Sequence, residues 1–278
     1  SKPDYDPSVF VGRLDADQWE ELSRDPSRPL RNRFIQGRYS PGSTFKTVVA
    51  LAALSEGAVT AEQGVFCTGS VRIYDRVFHC WRPGGHGWVD LPEALRDSCN
   101  VYFYLLGKKL EIDVLASYAN KLGMGELTGI DLPNENPGLV PTTRWKQEVL
   151  HQKWFPGETI SVAIGGGMLG VTPAQCLVMI STVALRGLRP RIHLVRQIES
   201  EGGPPEQVTP SFVPSGIDRS CFEPVVEGLW RVVNGEGTGR AAGMDGFDVC
   251  GKTGTQQIIS KENPNYQQLV KQERFRPH

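Results

Sequence analysis

Ser43 and Lys46 stand three residues apart at the start of an apolar run, in the stretch GRYSPGSTFKTVVALAALSEG that covers residues 37–57. The run over 44–54 reads as a buried helix, with Gly57 as its stop signal. Ser43 then falls in the first turn, where backbone N–H groups lack partners and the helix dipole favours negative charge. Residues three apart share a helix face, so the Lys46 amine lies on the side of the Ser43 hydroxyl. A serine at a helix start beside a buried amine can act as an activated nucleophile. It can equally be a plain cap, and S-x-x-K alone arises about once by chance in a chain of this composition.

Two later fragments shift that balance. DSCNVYF places Ser98 and Asn100 at the start of a second apolar helix, and CGKTGT places Lys252, Thr253 and two glycines on an expected strand. S-x-x-K, then S-x-N, then K-T-G, in that order, is the signature of penicillin-interacting serine enzymes. The spacing agrees, with 57 residues from Ser43 to Asn100 and 152 from Asn100 to Lys252. Longer stretches extend the match: YDPSVF, RYSPGSTFK, GHGWVDLPEALRDSCNVYFY, WFPGETISVAIGGG and VTPAQ. On these the chain resembles class B penicillin-binding proteins, the monofunctional peptidoglycan D,D-transpeptidases, and within them the elongation-type penicillin-binding protein 2 group. One departure is visible. Where that family usually carries Gly-Gln-Gly, this chain reads Gly165-Gly166-Gly167.

The resemblance and the residue chemistry together assign roles. Ser43 is expected to attack the penultimate D-alanine carbonyl of a stem peptide and form an acyl-enzyme. Lys46 accepts its proton, which requires burial and nearby positive charge to keep the amine neutral part of the time. Ser98 shuttles the proton to the leaving amine, and Asn100 holds Lys46 and the substrate amide. Lys252 depresses the Lys46 pKa and attracts the substrate carboxylate, which Thr253 also binds. Backbone N–H groups of Ser43 and Thr255 form the oxyanion hole, and Gly254 lets substrate approach closely. An acceptor strand's amine then takes the acyl group, and β-lactams acylate the same serine. No cofactor is needed for this catalysis. The resemblance further implies a glycosyltransferase and elongation-complex membrane proteins as partners, and a site on the periplasmic face of the bacterial inner membrane, with the anchor outside these residues.

A second constellation lies between the serine motifs. Cys67, Cys80, His86 and Cys99 follow one another at spacings of 13, 6 and 13. Three thiols and an imidazole suit a tetrahedral structural zinc, although the spacings are wider than in a finger. Cys99 sits between Ser98 and Asn100, so a metal there would clamp the 67–86 loop onto the S-x-N turn. Some elongation-type relatives carry metal-competent residues at this point. A Cys67–Cys80 disulfide or unconnected buried thiols are the competing readings.

The elements that must position these residues are legible from punctuation. DLPEALRDS opens a helix with Asp90 as cap, Pro92 in the first turn and Glu93 completing a capping box. NVYFYLLGKKL, DVLASYANKLG, VTPAQCLVMISTVALRG and CFEPVVEGLWRVVNGEG read as further helices, while RIHLVRQIE and FDVCGKTGTQQII read as strands. Helices in the middle with strand signals gathered late favour an α+β class over a parallel α/β order. In the family this is an antiparallel sheet flanked by helices plus a helical subdomain, so residues 1–278 are expected to form a transpeptidase domain, partial at both ends, with 58–190 mainly the helical subdomain. Such a partial sheet is expected to be poorly stable alone. Trp81, Trp88 and Trp154 either line the groove or simply pack.

Composition excludes other classes. The 278 residues are 39% apolar and 22% charged with a net charge of −1, so no basic excess points to nucleic acid. Apolar runs are too short and interrupted to span a bilayer. Within enzymes, a serine β-lactamase shares the three motifs, yet no convincing glutamate is placed for deacylation. A D,D-carboxypeptidase and a β-lactam sensor of the same fold remain as alternatives.

Overall fold

A computed structural model of the chain describes residues 3–12 and 14–255. The first helices are short and capped: α1 (Ala16–Arg24) by Asp15 and Gln18 in a capping box, α2 (Arg33–Gln36) by Asn32. The Pro41-Gly42 kink then opens a 3₁₀ turn, Gly42–Phe45, that runs directly into α3 (Lys46–Ser55). Lys46 and every residue on to Ala53 is buried, so α3 is a central helix with no solvent face in that span. Gly57 ends it at φ +62°, as its position predicts.

Two nested antiparallel hairpins follow. The outer one pairs β1 (Val65–Cys67) with β4 (Gly87–Val89), and the inner one pairs β2 (Ser70–Ile73) with β3 (Arg76–His79). Their nesting carries Cys67, Cys80 and His86 to one end of the ladders. Helix α4 (Leu91–Arg96) has the Asp90 and Glu93 capping box, and α5 (Asn100–Lys109) and α6 (Ile112–Lys121) follow it. Helix α7 (Thr143–Leu150) is capped by Thr142, and α8 (Pro156–Val162) opens on Pro156 with Glu158 accepting from the Phe155 N–H at 2.8 Å. They are joined by the buried Lys146, whose Nζ meets both Glu158 oxygens at 2.6 Å and lies 5.6 Å from the Trp154 ring centroid. Trp154 therefore packs as a clamp, whereas Trp88 is 70% exposed against Phe66. Helix α9 (Pro173–Ala184) starts at the Thr172 and Gln175 capping box. Two small ladders follow, β5 (Leu188–Pro190) with β8 (Phe212–Pro214) and β6 (Gln197–Ile198) with β7 (Glu206–Gln207). Helix α10 (Phe222–Asn234) packs chiefly on α4.

One apolar core joins Phe45 and α3 to α5, α6 and α10, and draws on both sides of the 58–190 boundary. Truncating a fully buried member such as Leu51 to alanine would cost about 2–5 kcal/mol. No helix among the described residues is long and apolar enough to cross a membrane.

The mixture of helices and antiparallel ladders agrees with the expected α+β class, but two strand expectations need correction. Over 191–199 only Gln197–Ile198 forms a ladder, because the Leu194 and Val195 N–H groups donate instead to the Asp131 carboxylate, at 2.7 and 2.8 Å. Over 248–255 no ladder forms among the described residues. The backbone there turns to α10, with Gly251 N–H on Leu229 O at 3.1 Å and the Asn234 amide on Val249 O at 2.8 Å. The remainder of that expected strand, 256–259, lies outside the described residues.

Candidate active site

The kink at Pro41-Gly42 sets Ser43 one helical turn before Lys46 and leaves it half-buried. Helix α3 then carries the Lys46 amine into the core, fully buried and 5.5 Å from the Phe103 ring centroid. There the amine meets the S-x-N turn. Its Nζ donates to the Ser98 carbonyl at 2.8 Å, to the Ser98 hydroxyl at 3.2 Å and to Asn100 Oδ1 at 2.6 Å. Ser98 reaches this position with φ +52°, a left-handed conformation that non-glycine residues rarely adopt. Such a conformation persists where its surroundings hold it, and it is common at functional sites.

Burial pushes the Lys46 amine well below its ordinary value, and the nearby Lys252 charge pushes the same way. Three acceptors around the nitrogen favour charge, but loss of water outweighs them. Lys252 is itself brought down to about 8 by burial.

The K-T-G segment lies against the serine turn. A Cβ on Gly42 would come within 2.6 Å of Thr255 O, and one on Gly254 within 3.0 Å of Thr44 Cγ2. The third wall is the glycine run. Gly165 O accepts from Gly42 N–H at 3.1 Å and from the Ser40 hydroxyl at 2.5 Å, and a Cβ on Gly165 would overlap Gly42 O at 1.8 Å. Ser43, Lys46, Ser98, Asn100 and the 252–255 segment therefore converge on one cleft. Two contributors have roles the sequence left open: Gly165, noted there only as a departure from the family's pattern, and Trp81, read there as lining the groove or packing. The Trp81 indole N–H donates to the Asp97 and Ser98 carbonyls at 3.0 and 3.1 Å, so it shares the Ser98 oxygen with Lys46.

Behind this turn the thiols gather. The ligating atoms of Cys67, Cys80, His86 and Cys99 all lie within 4.8 Å of one another. His86 Nδ1 is 3.5 Å from Cys80 Sγ and 3.7 Å from Cys67 Sγ, while its Nε2 is buried without a partner among the described residues. The Cys99 thiol holds the Cys80 sulfur as a thiolate, down to about 4, and Cys99 is pushed up in return. Four soft donors converging with a thiolate already favoured fit a tetrahedral cation.

Comparisons with known proteins agree with this arrangement. Residues 1–272 match the family model for the penicillin binding protein transpeptidase domain. The peptidoglycan D,D-transpeptidase MrdA of Escherichia coli K12 is 33% identical over 284 residues, covering all of this chain and 45% of that protein. A crystal structure of Pseudomonas aeruginosa PBP2 in complex with WCK 5153 superposes with a TM-score of 0.83 at 37% identity, covering 93% of this chain and 59% of that one. The complex of Helicobacter pylori PBP2 with MreC gives 0.81 at 31% identity, covering 93% and 47%. The chain thus spans about half the length of the curated relatives it matches. It belongs to the penicillin-binding protein transpeptidase domain family.

Proposed function

We propose that this chain carries the peptidoglycan D,D-transpeptidase activity named for its MrdA relatives, with Ser43 as nucleophile and Lys46 as general base. The observation that carries the reading is a lysine with no solvent contact, framed by Ser98 and Asn100 and one turn from a serine. A neutral amine has two hydrogens, which match the two short contacts to Ser98 O and Asn100 Oδ1, and its lone pair is left for a hydroxyl proton. Ser43 Oγ bonds to the penultimate D-alanine carbonyl carbon, and its proton passes to Lys46. The C–N bond to the terminal D-alanine then breaks, and the proton reaches the departing amine through Ser98 Oγ. An acceptor amine reverses these steps and takes the acyl group. The Ser43 and Thr255 N–H groups serve the developing oxyanion, and Lys252 and Thr253 take the terminal carboxylate. β-Lactams would acylate Ser43 by the same route.

Zinc is the cation we assign to Cys67, Cys80, His86 and Cys99; when bound it would supply a structural crosslink and no step of the reaction. The partners proposed are the stem peptide and acceptor strand, an MreC-like scaffold, a glycosyltransferase and other elongation-complex membrane proteins, at the periplasmic face of the inner membrane. The experiment is penicillin labelling with mass spectrometry. An adduct on Ser43, lost in Ser43→Ala with the fold intact, supports the reading; a stable adduct on another serine refutes it. Rapid turnover of the penicillin would point to a β-lactamase, and release of D-alanine that ignores an acceptor amine would point to a carboxypeptidase.

A further inference from the structure

Beyond α10 the chain turns through Gly237, Thr238 and Gly239, and this loop is pressed onto the helix it has just left. A Cβ on Gly237 would lie 2.5 Å from both Cα and O of Val232, and one on Gly239 would lie 2.8 Å from Val232 Cγ1. The Gly239 N–H closes the fold-back on Val232 O at 2.9 Å. Flanked by two glycines that have no room for a side chain, Thr238 is the single side chain this segment presents. It presents it to the K-T-G segment, where the Thr238 and Thr253 hydroxyl oxygens are 2.7 Å apart. The Thr238 N–H also reaches Arg96 O at 3.3 Å, at the end of α4 and two residues before Ser98. Thr238 thus ties one wall of the cleft to the other. It is exposed and Thr253 is half-buried, so a ligand can reach the pair.

We infer that Thr238 is a positioning residue for anion recognition, donating its hydroxyl proton to Thr253 so that the Thr253 proton is aimed at the substrate carboxylate. This rests on the transpeptidase reading above, in which Thr253 binds that carboxylate. A hydroxyl has one proton and two lone pairs. If Thr253 donates to Thr238, it has only lone pairs for an incoming anion, and those repel it. With the opposite polarity, Thr238 to Thr253 to carboxylate, each bond polarises the next and a donor faces the anion. The held backbone of 237–239 sets the pair's separation before any ligand arrives, so little ordering remains to be done on binding.

The test compares second-order acylation rate constants for benzylpenicillin and for its neutral methyl ester, on the intact chain and on Thr238→Val, Thr238→Ala and Thr238→Ser, with circular dichroism as the check on folding. The loss of one oriented hydrogen bond predicts that Val and Ala lower the acid's rate roughly tenfold while leaving the ester's within about twofold, and that Ser restores the preference. A purely structural role would lower acid and ester together, or leave Ser as impaired as Val. Either result overturns the inference, as does an unchanged acid-to-ester ratio in whichever hydroxyl-less variant folds. Absence of a Ser43 adduct in the unsubstituted chain would instead refute the transpeptidase reading itself.

Discussion

Lys46 and His86 lie in two pockets built on the same three residues, 98–100, and the two pockets balance their polar groups in opposite ways. On one side, Ser98 and Asn100 present three oxygens to a single amine, and each has found its partner. On the other, Cys99 joins two more thiols and an imidazole whose buried Nε2 has none among the described residues. The first pocket is a complete hydrogen-bonding frame around an amine whose charged form burial disfavours. The second is a set of three thiols and an imidazole whose chemistry fits a tetrahedral cation. One turn therefore faces two ways: Ser98 and Asn100 frame the Lys46 amine, and Cys99 between them joins the cluster behind.

Predictions follow that contrast from the larger effect to the smaller. Lys46→Ala empties the first pocket and should slow acylation by about 10²–10⁴-fold in a stopped-flow or gel-based penicillin assay. Retained labelling would point to another base. Lys252→Gln should cost about 10–100-fold through the lost charge-assisted contact to the ligand carboxylate. It should also change the pH profile. In the unsubstituted chain the rate rises with pH as Lys46 loses its proton, then falls as Lys252 loses its charge near pH 8. Without the Lys252 charge, Lys46 holds its proton more tightly, so the rising limb moves to higher pH and the falling limb disappears.

The second pocket responds more gently. Metal analysis of protein purified without added metal should find near one zinc per chain. Cys99→Ala should lose it, and acylation should slow about tenfold although no S-x-N side chain has changed. Full metal content in Cys99→Ala, or a Cys67–Cys80 crosslink in the native chain, would remove the zinc from this account. Trp81→Phe is the mildest. It keeps the ring that lies against His86 and removes one donor from the Ser98 oxygen, so acylation should drop about threefold to tenfold with zinc retained.

How much of this was legible depends on the range of the contacts. Ser43 with Lys46, and Ser98 with Asn100, are written within single turns at helix starts, where residue type and spacing fix a shared face. The capping box at Asp90 is local in the same sense and appears where the sequence puts it. The Cys and His set could be read because soft donors are few and conspicuous. By contrast, Trp81 matters only because the nested hairpins bring its indole to a carbonyl 17 residues away. Thr238 depends on a fold-back that two glycines permit. The strand expected over 191–199 failed because one carboxylate, Asp131, took up the backbone donors that a ladder would have used. Periodicity carries no warning of a competing partner more than 60 residues away. Helices α7 and α8 likewise share an ion pair between buried Lys146 and half-buried Glu158, 12 residues apart, that no local pattern announces.

Lys46 is proposed as the base because it is buried and framed by Ser98 and Asn100. The most direct test is a titration of the Lys46 side chain by ¹³C NMR on protein labelled at the lysine ε-carbon, with Lys46→Ala to assign the signal. Exposed lysines titrate near about 10.4. The Lys46 resonance should titrate well below them. A Lys46 signal that stays in its charged position until the exposed lysines titrate would contradict it.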